Sequence, residues 1–208
     1  MADLPSDFPA SLAIDYPDRP LDRVSTLFRL IIALPIVAVL ALVTRGTVHA
    51  ESGTTYVIGA GGLVFVATVL MLLFRRKYPR WWFDWNLALT KFGMRVTAYL
   101  ALLRDEYPST DDDQAVHVAI PYPDAARLDR WLPLVKWLLA IPHYVVLAFL
   151  SVAGFVCVVV AWFVILATGR YPRSLFDFVV GVLRWWLRVS AYAFLLSTDR
   201  YPPFALRA

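Results

Sequence analysis

Long apolar runs dominate the hydrophobic pattern of this chain. Residues 24–43 and 56–74 form two of them, and residues 132–167 form a longer one in which Lys136 is the only charged residue. About 20 apolar helical residues cross a hydrocarbon core of about 30 Å. The pattern therefore predicts membrane-spanning helices at 24–43, 56–74, 132–150 and 152–168, with a turn near 151–154.

Two further segments, 81–103 and 174–196, combine apolar residues with one charged stripe. Steps of seven and four return to nearly the same helical angle, and they relate Asp84, Lys91 and Arg95 in the first segment and Asp177, Arg184 and Arg188 in the second. A charge at the centre of a span costs roughly 2.5 to 3.5 kcal/mol. We therefore expect amphipathic helices in the membrane interface, with the stripe towards the headgroups. The alternative is that both helices span and the second half of the chain is inverted.

An internal repeat organises the chain. Tyr16-Pro17-Asp18 recurs as Tyr122-Pro123-Asp124, and Lys77-Tyr78-Pro79-Arg80 recurs as Arg170-Tyr171-Pro172-Arg173. Such self-similarity indicates tandem copies of one structural unit. The predicted organisation is an N-terminal tail (1–15), repeat unit 1 (16–108), an acidic linker (109–121) expected to be a solvated loop, repeat unit 2 (122–203) and a C-terminal tail (204–208). Residues 44–55 form an extra loop in unit 1.

Composition agrees with a membrane protein. Of 208 residues, 60% are hydrophobic and only 17% are charged, which is too apolar for a typical soluble domain and excludes a disordered chain. The net charge of +4 is too small to suggest nucleic-acid binding. We therefore predict an all-α integral membrane protein of two tandem repeats, each a transmembrane helical hairpin plus an interfacial amphipathic helix.

No motif for catalysis is present. The chain has no phosphate-binding glycine loop, no Gly-x-Ser-x-Gly and no His-Glu-x-x-His, and its one cysteine and three histidines lack metal-ligand spacing. We expect no enzyme, no catalytic residue, no metal and no cofactor. His143 is a candidate intramembrane polar site, because ionisable groups at membrane depth are usually functional. The favoured interpretation is nevertheless structural: its imidazole bonds a carbonyl freed by Pro142 or lies near the interface.

The basic residues predict the orientation. With two spans per unit, all but Arg45 of the 20 basic residues lie on or next to one side, and such residues favour the cytoplasmic side. This predicts a multi-pass protein of the inner (plasma) membrane with both termini in the cytoplasm.

A short basic cluster follows the second span, at Arg75, Arg76, Lys77 and Arg80. Juxtamembrane clusters of this kind attract anionic lipid. The predicted function is a non-enzymatic scaffold or accessory protein that contacts anionic lipid, another membrane protein or a second copy of itself; a small transporter or channel subunit is the alternative. The candidate contact residues are Arg75, Arg76, Lys77, Arg80, Lys91, Arg95, Arg170, Arg173, Arg184 and Arg188.

The second unit also resembles a known family. Leu139-Ala140-Ile141-Pro142-His143-Tyr144, the Tyr-Pro-Arg and Leu-Phe-Asp-Phe stretches at 171–178, and Ser-Thr-Asp-Arg-Tyr-Pro-Pro-Phe at 197–204 resemble the uncharacterised bacterial membrane family called domain of unknown function 4389. The resemblance implies a membrane location, two copies of the unit and no known activity, so it implies no catalytic residues.

Overall fold

The protein is mostly helical. A computed structural model describes the backbone of residues 8–49, 55–110 and 112–207, and the side chains of residues 8–42, 64–110 and 112–207. Parts of the predicted N-terminal tail, of the extra loop and of the linker, residues 1–7, 50–54 and 111, lie outside the described residues. The helices are α1 (Arg23–Thr44), α2 (Ala60–Leu70), α3 (Arg80–Leu100), α4 (Leu132–Leu139), α5 (Ile141–Thr168) and α6 (Arg173–Ala193), and the strands are β1 (Ser11–Ile14), β2 (Arg45–His49), β3 (Thr55–Gly59) and β4 (Val116–Ala119).

The long apolar segment of the second unit does not fold as a hairpin. Helix α5 runs without interruption through residues 151–154, so the predicted turn that divides the spans 132–150 and 152–168 is wrong. Three of the four residues at 151–154 are compatible with a helix, and a single glycine there costs only about 1 kcal/mol. The chain breaks instead at Ala140, between α4 and α5, because Pro142 has no N–H to continue the hydrogen-bond ladder of α4.

The tail and the linker form a two-stranded antiparallel ribbon, which corrects the prediction of a solvated loop. Strand β1 pairs with β4, with Leu12 opposite Val118 and Ile14 opposite Val116. These four apolar side chains are buried, and the residues between them are exposed. Alternating apolar and polar residues are typical of a strand with one buried face. The acidic run that precedes β4 favoured the prediction of a solvated loop instead.

The extra loop of the first unit also contains strands. β2 pairs with β3 in an antiparallel hairpin, so the predicted span at 56–74 begins with a strand and becomes helical only at Ala60. After α2 the helix widens into a π-helical turn, Met71–Arg75. Together α2 and this turn are shorter than the 20 residues expected of a span.

Helices α3 and α6 pack against the hydrophobic core. The main hydrophobic core joins them to the β1–β4 ribbon and to α5, and includes Phe83, Leu102, Phe176 and Leu187. Twelve of the 21 residues of α6 are buried. The predicted packing of α6, as a surface helix with its stripe towards the headgroups, is therefore wrong. One face of α6 packs against the core, and another packs against the chain termini.

Helices α1 and α5 differ from ordinary core helices because they are apolar and exposed. The candidate spans Arg23–Leu42 and Leu132–Thr168 are long and apolar enough to cross a membrane, yet only 22% and 17% of their most apolar stretches are buried. Leu30, Leu42, Phe149 and Phe155 are each more than two-thirds exposed. Exposed apolar surface of this extent indicates a membrane or protein contact, and the two helices support membrane association.

Candidate functional site

The predicted basic cluster lies on a tight reversal of the chain. The π-helical turn ends at Arg76, which adopts the left-handed conformation (φ 47°) and donates its backbone N–H to the Leu72 carbonyl. The following Tyr78 is buried and donates its hydroxyl to the Leu195 carbonyl at 3.0 Å. This anchor leaves the side chains of Arg75, Arg76 and Lys77 exposed on one short stretch.

Exposed aromatic side chains flank the cluster. Phe74 is 70% exposed and Trp81 is 68% exposed. Arg130 joins the same region, since its Nε donates to the Leu73 carbonyl at 2.7 Å and its guanidinium lies over the ring of the exposed Trp131. We call Phe74, Arg75, Arg76, Lys77, Arg80, Trp81, Arg130 and Trp131 the basic surface. Arg130 and Trp131 were not among the predicted contact residues, although an Arg-Trp step at the start of an apolar helix is a signal for a membrane-interface anchor.

Arg80 and Arg173 occupy matching surroundings. Arg80 pairs with Asp84 at 3.7 Å and lies over the Tyr122 ring. Arg173 pairs with Asp177 at 3.7 Å and lies over the Tyr16 ring. All four charged side chains are more than half exposed, so these ion pairs are weak and the arginines stay available to a ligand.

Each tyrosine beneath these arginines bonds to a residue of the other predicted unit. The Tyr16 hydroxyl donates to the Tyr171 carbonyl, and the Tyr122 hydroxyl donates to the Tyr78 carbonyl. Burial raises the pKa of both the Tyr78 and the Tyr171 phenols above their ordinary value. Both phenols are therefore neutral at any physiological pH, and the Tyr78 hydroxyl acts as a structural anchor.

Four of the remaining predicted contact residues are exposed or half-buried. Arg170 is exposed beside a small cavity of about 370 Å³ that Arg19 also lines. Lys91 is half-buried, and Arg95 donates to the Ser109 carbonyl at 2.7 Å. Arg184 donates its Nε to the Leu12 carbonyl of β1 at 2.8 Å.

Arg188 does not face lipid headgroups. It is 3% exposed, and its guanidinium donates to the carbonyls of Ala205 and Arg207. Burial, followed by the nearby positive charge of Arg184, lowers the pKa of this guanidinium from a very high ordinary value. The prediction that Arg188 lies on a headgroup-facing stripe is wrong, because the C-terminal segment folds back over this side of α6 and uses the arginine as its anchor.

His143 is fully buried in an aromatic enclosure. Its Nδ1 accepts the indole N–H of Trp185 at 3.1 Å, and its ring stacks on Phe204 with centroids 4.0 Å apart. The expected hydrogen bond between His143 and a carbonyl freed by Pro142 is not formed at Nδ1, where the Trp185 indole is the partner. Accepting at Nδ1 assigns the proton of the neutral ring to Nε2, so His143 joins α5, α6 and the C-terminal segment.

Two buried ion pairs were not found from the sequence. Arg29 pairs with Asp105, and Lys136 Nζ lies 2.7 Å from Asp199 Oδ1. Each acid follows a residue with a left-handed backbone conformation, at which the chain turns back. This residue is Leu102, just after α3, for Asp105 and Leu196, just after α6, for Asp199. Asp105 and Asp199 stand at the same distance before a Tyr-Pro step, and that offset was the available signal. Among the described residues, no three His, Cys, Asp or Glu side chains gather as a possible metal site.

The fold and the basic surface together define a mostly helical protein with two helices fit to cross a membrane. Residues 131–205, which cover α4, α5, α6 and the segment after them, match one copy of a family model described as a domain of unknown function (DUF4389). The resemblance of the second unit to this family is thereby confirmed, for one copy. No curated protein and no solved structure matches the chain.

Proposed function

We propose that this is a non-enzymatic membrane scaffold or accessory protein that binds anionic lipid through the basic surface. The observation that carries the proposal is the position of Arg75, Arg76 and Lys77, exposed between the exposed rings of Phe74 and Trp81. Aromatic rings favour the headgroup layer, where one end is apolar and the other wet. A basic residue near an anionic leaflet contributes about 1 kcal/mol.

The transporter alternative has less support. A proton or ion pathway needs ionisable groups that a ligand can reach. His143 is enclosed by Trp185 and Phe204, and Lys136 is held by Asp199. These contacts fit a structural role for both residues better than a role in transport.

Neutralising the cluster tests the lipid proposal. Arg75→Gln, Arg76→Gln and Lys77→Gln combined should lower the retention of phosphatidylglycerol by tenfold or more in native mass spectrometry, since three charges near the surface are worth about 3 kcal/mol. Retention of phosphatidylcholine should stay unchanged, because the effect is electrostatic.

The matched control removes the same charge elsewhere. Arg19→Gln, Arg127→Gln and Arg207→Gln combined neutralise three exposed arginines from three separate segments. This variant should retain phosphatidylglycerol within about twofold of the wild type, since the sequence neighbours of these three arginines are not aromatic anchors. Equal losses in both variants would show that net charge alone attracts the lipid and would refute a local site.

The proposal includes an architecture of two repeats related by a pseudo-twofold axis. Three kinds of contact occur twice, at positions that the sequence repeat relates: tyrosine hydroxyl to carbonyl (Tyr16–Tyr171 and Tyr122–Tyr78), buried ion pair (Arg29–Asp105 and Lys136–Asp199) and cation over a ring (Arg80–Tyr122 and Arg173–Tyr16). The tyrosine contacts are reciprocal between the units, as an isologous interface requires.

The proposed topology is multi-pass, with both termini in the cytoplasm. The Leu21 N–H donates to the Gly169 carbonyl at 2.8 Å, so the start of α1 lies beside the end of α5. The β1–β4 ribbon holds the N-terminal tail against the linker. The ribbon favours one membrane side for tail and linker, whereas an inverted second unit would separate them.

Cysteine labelling tests the sidedness. Single cysteines at Asp18 and Asp113, in a Cys157→Ala background, should both resist a membrane-impermeant maleimide in intact cells and react fully after permeabilisation. A cysteine at Ser52, on the far side of the first span, should react in intact cells. Labelling at Asp113 with protection at Asp18 would establish the inverted arrangement instead.

A further inference from the structure

An apolar groove lies between helices α1, α3, α5 and α6. Its volume is about 780 Å³, and its walls include Leu30 from α1, Met94 from α3, Val158 from α5 and Leu183 from α6. This volume is within the range of small-molecule sites. Two of the four walls are the exposed apolar helices, so the groove opens beside the surface that the proposed function places in hydrocarbon.

The polar groups around the groove are mostly bonded within the protein. Trp186 donates its indole N–H to Ser151 Oγ at 3.0 Å, and Trp162 donates to the Thr26 carbonyl at 3.1 Å. The interior therefore offers little to a polar ligand, because it presents methyl groups and ring faces. An apolar chain would gain the burial energy without leaving these groups unpaired.

One buried donor of a groove-lining residue has no hydrogen-bond partner. Arg29 lines the groove and is 2% exposed; its Nη atoms bind Asp105 and the carbonyls of Tyr99 and Arg104, but its Nε has no hydrogen-bond partner in the described part of the chain. Asp105 already balances the positive charge. The free N–H thus suits a neutral acceptor, such as an ester carbonyl, better than a free carboxylate.

We propose that this groove binds one acyl chain of a membrane phospholipid, with the ester carbonyl towards Arg29. The inference rests on the proposed membrane location. From Ser151 to Trp162 the groove follows α5 for about 16 Å at 1.5 Å per residue. That length is close to half of the roughly 30 Å hydrocarbon core, which is the thickness of one leaflet.

Photo-crosslinking tests the proposal. The full-length protein is reconstituted with phosphatidylglycerol that carries a diazirine in the middle of one acyl chain, irradiated and mapped by mass spectrometry. We expect adducts on Met94 and Val158 inside the groove, and on Phe149 and Phe163, which are exposed elsewhere on α5.

Gly154 allows the groove to be filled. A side chain added there meets open space, and Gly154 lines the groove. Gly154→Leu should reduce adducts in the groove about tenfold, because excluding two methylene groups already costs about that factor, and should leave adducts on Phe149 and Phe163 unchanged. Gly93→Leu is the matched control, since Gly93 also faces open space but does not line the groove.

The outcomes separate this proposal from the membrane location. Adducts on Phe149 and Phe163 with none in the groove would overturn the acyl-chain site and leave the membrane proposal standing. Absence of adducts from both α1 and α5 would overturn the membrane proposal itself. Should Gly154→Leu misfold, Val159→Trp narrows the groove from the same helix and must give the same selective loss.

Discussion

Asp199→Asn is expected to lower the free energy of unfolding by about 3 kcal/mol or more. Its partner Lys136 is 0% exposed, with its ammonium 2.7 Å from the carboxylate and bonded to the Thr198 carbonyl. Removing one member of a buried pair leaves an uncompensated charge, which typically costs 3 to 5 kcal/mol. The Asp199 carboxylate also accepts the Asp129 backbone N–H at 2.6 Å, a bond that asparagine can keep. Chemical unfolding in detergent, followed by circular dichroism, measures the change.

The control for this variant is Asp177→Asn. Asp177 and its partner Arg173 are both more than 60% exposed, so we expect a change within about 0.5 kcal/mol. The double variant Lys136→Met with Asp199→Asn should recover most of the lost stability, because a buried pair can be replaced by an apolar side chain with little cost. If Asp199→Asn were no more harmful than Asp177→Asn, the buried pair would have no structural role.

Arg188→Met is expected to cost about 3 kcal/mol and to release the C-terminal segment. The variant removes the donors to the Ala205 and Arg207 carbonyls, and a hydrogen bond from a charged group is worth about 1.5 to 3 kcal/mol. Release should make residues 200–207 sensitive to proteolysis and should expose His143, since Phe204 would no longer stack on it. Limited proteolysis with mass spectrometry follows the release directly.

The same variant distinguishes an internal anchor from a lipid contact. Retention of phosphatidylglycerol should stay within about twofold of the wild type, because Arg188 is 3% exposed. Arg173→Gln, at an arginine that is 66% exposed, should change stability by less than about 0.5 kcal/mol. Lost lipid with unchanged folding in Arg188→Met would restore the interpretation of the stripe as a headgroup-facing surface.

The charged stripe shows why a helical period alone does not place a helix. Asp177, Arg184 and Arg188 follow one another along α6 at steps of seven and four residues. An arginine can face a headgroup or a row of backbone carbonyls with the same chemistry. In α6 the arginines bond to carbonyls, because the N-terminal strand and the C-terminal segment bring the Leu12 and Ala205 carbonyls to this face. Only the tertiary structure shows this.

The basic surface could be predicted in part. Arg75, Arg76, Lys77 and Arg80 are adjacent in sequence, so their clustering needs no tertiary information. Arg130 reaches the same place by a hydrogen bond to the Leu73 carbonyl. Such a long-range contact leaves no periodic trace in the sequence, so this residue was found only in the structure.

The sequence by itself determined the apolar stretches, the approximate start of α1 and the basic cluster, because these depend on local hydrophobicity and on charge positions. The tertiary structure alone decided the uninterrupted course of α5, the pairing of β1 with β4 and the burial of Arg188. Local sequence is nearly neutral at residues 151–154, so packing decides between a turn and a helix there. Strand β1 likewise depends on a partner about 100 residues away, and the burial of Arg188 depends on carbonyls about 20 residues away. Such partners are selected because buried polar groups would otherwise remain unpaired.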